Sequence, residues 1–231
     1  MVQQLPTFSQ QEVIYPDSDG QPMADNTKQF NSIVKIKENL EILFANEANV
    51  FVAGDLLWYP VEGDNKIRKA PDVMVIFGRP KGDRGSYQQW LEDNIAPQVV
   101  FEILSPGNTL KEMAEKLEFY DQYGVEEYYL YDPDKIDFNG WLRSDNRLKV
   151  INPVESWVSP RLGVRFELTE AELEIYRPDG NIFLTSTELA QQAQQAQQQA
   201  QQERQRAEQA EARIQILETR LRELGVDTRD L

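Results

Sequence analysis

Ala70-Pro71-Asp72-Val73-Met74-Val75-Ile76-Phe77 and Gln98-Val99-Val100-Phe101-Glu102-Ile103-Leu104 both read as strands, and each sets one carboxylate in an otherwise apolar run. A buried carboxylate is costly unless a cation or hydrogen-bond donors meet it. Two such acids on neighbouring strands of one sheet therefore predict a cation shared between them. A helix carrying Lys116 follows the second strand. Two acids and a lysine around one sheet edge are the least that metal-assisted hydrolysis of a phosphodiester needs.

Upstream, Phe30, Ile33, Val34, Ile36, Leu40, Leu43 and Phe44 recur at helical spacing. They predict an amphipathic helix over 26–46, with Asp25 or Asn26 as its cap. Residues 1–25 are polar, carry Pro6, Pro16 and Pro22, and read as an irregular arm. A strand over 50–59 precedes the polar turn Glu62-Gly63-Asp64-Asn65. The connection 78–97 reads as a loop with a short helix around 87–91. Ser105-Pro106-Gly107-Asn108 ends the Glu102 strand, and Thr109 with Glu112 forms a capping box for a helix reaching about Tyr123. Gly124 suits the position after its end. A strand at Glu127–Tyr131 follows, then segments around 141–143, 148–151, 164–168 and 173–176 that predict an antiparallel β meander. Helix, three strands, helix, strand is the order of an α/β core. The predicted globular domain spans 26–186.

The chain has 231 residues with no cysteine and no histidine, which excludes disulfides, thiolate zinc sites, Ser-His-Asp triads and Cys-His nucleophiles. A metal must be held by oxygen ligands, which favours magnesium, calcium or manganese. The opening Met1-Val2-Gln3-Gln4-Leu5 has no basic-then-apolar signal pattern, and no run approaches the ~18 apolar residues of a membrane span. A cytoplasmic protein with no membrane association is expected. The formal charge is −15, and residues 1–186 hold 18 Lys and Arg against 31 Asp and Glu. That balance repels a nucleic-acid backbone. Three basic clusters run against it: Lys66-Ile67-Arg68-Lys69, Arg79 with Lys81 and Arg84, and Arg143 with Arg147 and Lys149. The first two flank the Asp72 strand.

After Thr185 the composition turns to Gln, Ala, Glu and Arg. Leu189, Ala193, Ala196, Ala200, Ala207, Ala210, Ile214, Leu217, Leu221 and Leu224 keep a seven-residue register, broken only at Glu203. This predicts a coiled-coil helix over 187–225 and a tail at 226–231. With Ala207, Ile214 and Leu221 at position a, a parallel pair sets Arg206 beside Glu211 and Arg213 beside Glu218 of its partner. An antiparallel pair opposes arginine to arginine. The expected assembly is a homodimer through a parallel coiled coil over 189–224.

Pro71-Asp72, Phe101-Glu102-Ile103-Leu104-Ser105-Pro106, and Lys116 through Tyr120 to Gly124-Val125-Glu126-Glu127-Tyr128-Tyr129-Leu130-Tyr131-Asp132 together resemble the Uma-type putative restriction endonuclease family of the PD-(D/E)xK nuclease superfamily. The resemblance covers about residues 25–180. It implies a restriction-endonuclease-like core, a mixed central sheet flanked by helices, followed here by the β meander and the long C-terminal helix. It also implies a magnesium- or manganese-dependent endonuclease acting on DNA. On it, Asp72 and Glu102 match the metal-binding acids, the Ile103 carbonyl is a further ligand, and Lys116 matches a catalytic lysine displaced to the helix. One departure stands out: the lysine position of Glu-x-Lys is occupied by Leu104. Glu112, one turn before Lys116, is a candidate to pair with it or to approach the metal, and Glu38 or Glu41 on the first helix is a candidate for an added acid, between which the sequence does not choose. The alternative is a catalytically weak or inactive nuclease-fold module that works by protein interaction through its coiled coil. Hydrolysis of RNA or a nucleotide is a third reading of the same site chemistry.

Overall fold

A computed structural model of the chain describes residues 13–20 and 22–224, which fall into two compact units, one ending at Phe183 and one beginning at Leu184. Residues 1–12 of the expected arm, and the expected tail, lie outside the described residues; 13–20 and 22–25 form neither helix nor strand. Helix α1 (Thr27–Leu43) starts at Asn26, whose side-chain oxygen accepts the Gln29 N–H at 2.9 Å, and it buries Ile33, Ile36 and Leu40. The strand expected over 50–59 is instead β1 (Val50–Gly54) and the short β2 (Trp58–Tyr59). Asp55 breaks it by taking a positive φ of 48°, while its N–H turns to the carbonyls of Pro71 and Asp72. Strand β3 (Val73–Phe77) begins just after Asp72. Around 87–91 the expected helix is β4 (Tyr87–Gln88) and one 3-10 turn at Gln89–Leu91.

Strand β5 (Val99–Ile103) leads through the 104–109 turn to α2 (Leu110–Gln122) and back into β6 (Glu127–Asp132). Thr109 caps α2 by accepting the Glu112 N–H at 3.2 Å. The expected reciprocal half of that box is replaced by a contact of the Glu112 carboxylate with Asn108 Nδ2 at 3.3 Å. Strands β7 (Asp137–Ser144) and β8 (Arg147–Val150) extend the main sheet, whose order is β1-β3-β5-β6-β7-β8. Strands β9 (Arg165–Leu168) and β10 (Leu173–Tyr176) form a two-stranded sheet of their own, apart from the main sheet, so the expected four-strand meander is two hairpins. In the main sheet β5 and β6 are the parallel neighbours and the other pairs are antiparallel, as the α2 crossover between them requires.

Alternation along the strands divides the core in two. Val73, Val75, Val99, Phe101 and Ile103 pack with α1 and the β9–β10 hairpin, while Met74, Ile76, Val100 and Tyr128 pack with Tyr120 of α2, Trp58 and Tyr87. In the second unit, α3 (Ser186–Glu223) opens with a full capping box between Thr185 and Glu188 and buries no side chain. Ile214 and Leu217 on it, and Leu224 at its C-cap, are exposed. Among the described residues no helix is long and apolar enough to cross a membrane.

Candidate active site

Period-two alternation puts Glu102 on the α2 face of β5, beside Val100. In the antiparallel ladder Val73 faces Phe101 and Met74 faces Val100, so one step further Asp72 stands opposite Glu102. Past the end of the β1–β3 ladder, the turn at Asp55 bonds its N–H to the Asp72 carbonyl at 3.3 Å and sets Asp55 beside the same cleft as Asp72. Two carboxylates thus face each other across β3 and β5, with Asp55 at the turn after β1. Helix α2 answers with two residues one turn apart. Lys116 Nζ lies 2.7 Å from Glu102 Oε2, and the Tyr120 hydroxyl donates to Glu102 Oε1. Asp72 Oδ2 accepts the Ile103 N–H at 2.6 Å, and the Ile103 carbonyl accepts Gln29 Nε2 from α1 at 2.8 Å. Glu102 is 2% exposed and Asp72 9%.

An open cleft of about 540 Å³ runs over this row, lined by Asp55, Asp72, Lys116, Glu112 and Gln29, by Lys66, Arg68 and Lys69, and by Asp19 and Asp25 of the arm. Of the expected site residues, Asp72 and Lys116 line the cleft, while Glu102 and Ile103 are bonded to them but do not line it. Glu112 lines the cleft, and neither Glu38 nor Glu41 does. Glu41 pairs with Lys37 at 2.8 Å beside another groove along β1.

Burial first, and then the neighbouring Glu102 charge, push the Asp72 carboxyl well above the usual carboxylate range, against the Ile103 N–H and Lys116. Asp55 moves the same way, by burial and then by Asp19 and Glu102. Burial pulls Lys116 down, but the charge and hydrogen bond of Glu102 outweigh it, so its net shift is upward. Lys116 is therefore an ammonium at neutral pH. Burial and then Glu102 raise the Tyr120 phenol well above its ordinary value, which keeps it a donor.

The donor set fits a hard cation: two carboxylates and a backbone carbonyl, all oxygen. Among the described residues no three His, Cys, Asp or Glu side chains cluster to hold an ion, so a carbonyl or water must complete any such shell. In this conformation the Ile103 carbonyl is engaged by Gln29, and both Glu102 oxygens by α2. Sequence reasoning missed three members. Tyr120 reads as core packing, and its ring does stack against Trp58 at 6.4 Å. Gln29 begins the buried stripe 29, 33, 36, 40, and a polar residue at that register was the available signal. Asp55 reads as mid-strand, and only the turn exposes it to the cleft.

A mixed sheet with paired acids at adjacent strand ends, and a lysine delivered by the next helix, defines a restriction-endonuclease-like α/β protein. Residues 2–200 match the profile of Uma2, described as a putative restriction endonuclease, and the chain belongs to that family. Among solved structures, a putative nuclease belonging to DUF820 from Anabaena variabilis ATCC 29413 is similar, with 16% identity and a TM-score of 0.42 over 58% of this chain and 72% of that one. Among proteins of curated function none matches.

Proposed function

We propose that the chain is a cytoplasmic, divalent-cation-dependent endonuclease that hydrolyses DNA phosphodiester bonds. Asp72, Glu102 and the Ile103 carbonyl hold magnesium or manganese, and Lys116 assists. One observation supports this reading: Asp72 and Lys116 line one cleft, and Lys116 Nζ lies 2.7 Å from the buried Glu102, which stands opposite Asp72 in the sheet. The bound ion would supply Lewis-acid polarisation of the scissile phosphate. The chain's own residues do the rest. Asp72 is braced by the Ile103 N–H, Glu102 is held in one rotamer by Tyr120, and the Lys116 ammonium offsets charge developing on the phosphate. The working assembly in this reading is a homodimer through α3.

A second reading has its own support. Glu102 is almost fully buried with both oxygens already bonded, and the chain is acidic. Both features suit a weak or inactive nuclease-fold module acting through α3. Supercoiled plasmid with magnesium or manganese separates the two. Wild type should nick or linearise it, and Glu102→Ala and Lys116→Ala should each lose about a hundredfold or more in rate, the scale of removing one preorganised charged group. No cleavage by wild type with either ion would overturn the endonuclease reading in favour of the module.

A further inference from the structure

Three basic clusters interrupt this acidic chain, and their partners sort them. Arg79 and Arg84 both bond Glu92, at 2.8 and 2.7 Å, and Arg79 also reaches Asp93. Lys81 caps the end of α1 through the carbonyls of Phe44 and Ala45. Arg143 is held by Asp121 and by carbonyls at the end of α2, and Lys149 by Asp145. Arg147 alone of that third cluster makes no ion pair among the described residues. The Lys66, Arg68 and Lys69 cluster differs as a whole. Among the described residues none of these three makes an ion pair. They are also the cluster that lines the cleft with Asp72 and Lys116.

The segment that carries them is fixed. Lys69 exchanges both main-chain hydrogen bonds with the buried Trp58, at 2.8 and 3.2 Å. Arg68 Nη1 donates to the Asn65 carbonyl at 3.0 Å, and its guanidinium lies 6.0 Å from the centre of the Tyr59 ring. Three residues past Lys69 the chain reaches Asp72. A protein of charge −15 has carboxylates in excess, yet among the described residues none is ion-paired with these three cations. A polyanion from outside completes that arrangement. Asp19 and Asp25 line the same cleft and repel such a polymer, which presses it toward the basic segment.

We propose that residues 66–69 are the phosphate-backbone contact of this cleft, with Lys66, Arg68 and Lys69 neutralising phosphates of one nucleic-acid strand and leading it to Asp72 and Lys116. This rests on the nuclease reading and adds which surface takes the strand. The test is fluorescence anisotropy of a labelled DNA duplex, and of the same single strand, over a salt series in EDTA. The triple variant Lys66→Gln/Arg68→Gln/Lys69→Gln should bind at least about tenfold more weakly near 0.1 M salt. Its log Kd against log salt should flatten by about 2 to 3, at roughly 0.9 for each phosphate that is no longer neutralised. Arg147→Gln/Lys149→Gln on β8 should stay within about twofold of wild type. Because Arg68 braces Asn65, Lys66→Gln/Lys69→Gln is measured alongside, with its melting temperature matched to wild type, and should flatten the slope by about 2. If both 66–69 variants bind like wild type with its salt slope while wild type cleaves plasmid, the surface assignment is overturned and the nuclease reading stands. If wild type binds neither oligonucleotide at low salt and leaves plasmid intact, both fall.

Discussion

Glu127 is a useful counterpart to Glu102. Both are strand carboxylates with almost no exposure. Glu102 is met by an ammonium, whereas Glu127 is met by neutral donors: the Ser159 hydroxyl, the Arg161 N–H at 2.7 Å and the Tyr129 hydroxyl at 2.9 Å. Burial raises its carboxyl above the ordinary 4.5, against those donors. With the folded value above the unfolded one, the folded chain binds more protons in between, so stability falls as pH rises from about 4.5 through the raised value. Glu127→Gln removes that titration. The melting temperature of wild type minus that of the variant should drop between pH 4 and pH 7, and parallel curves would refute the assignment. At this scale the sequence was informative where chemistry was incongruous. Asp72 and Glu102 stand out because a charge interrupts an apolar strand, whereas Lys116 stood out only through the family resemblance, since a helix lysine by itself reads as a solvated charge. Tyr120 and Gln29 did not, since a phenol or an amide suits a buried surface for packing alone and its polar partner lies elsewhere in the chain.

Among the elements, α2 positions Lys116 and Tyr120, and its ends are set by local chemistry. Gly124 follows the last turn at φ +91°, and a Cβ built there meets only the Ala96 Cβ, at 3.9 Å. The cost of Gly124→Ala is therefore conformational rather than steric, about 1 kcal/mol. Thermal unfolding should shift down by about 2–4 °C, and an unchanged midpoint would contradict the left-handed cap. Both helices of the globular unit could be read from period and cap residues, because those signals are local. The strand over 50–59 could not, because its break at Asp55 is made by hydrogen bonds to residues 71 and 72. The splitting of the meander was equally hidden: β9 and β10 are as strand-like as β7 and β8, and which edge a hairpin joins is decided by packing.

For the whole molecule, α3 buries no side chain, and Ile214, Leu217 and Leu224 of the seven-residue register are exposed. Each g–e pair of a parallel coil contributes only a few tenths of a kcal/mol. The stability of a dimer must come from Ile214, Leu217, Leu221 and Leu224, since the alanine-rich front half buries little area. Sedimentation of the full chain should give a dimer and a version ending at Ser186 a monomer; equal masses for the two would exclude this helix as the assembling element.

The parallel β5–β6 step has a consequence for how the cleft holds together. Glu102, Lys116 and Tyr120 all come from one uninterrupted strand–helix–strand excursion, with bonds that span 14 and 18 positions of chain. The Gln29 bond to the Ile103 carbonyl reaches across 74. Fraying of α1 would release that carbonyl and leave the clamp on Glu102 shut. The site is built as a self-contained jaw with a remote latch.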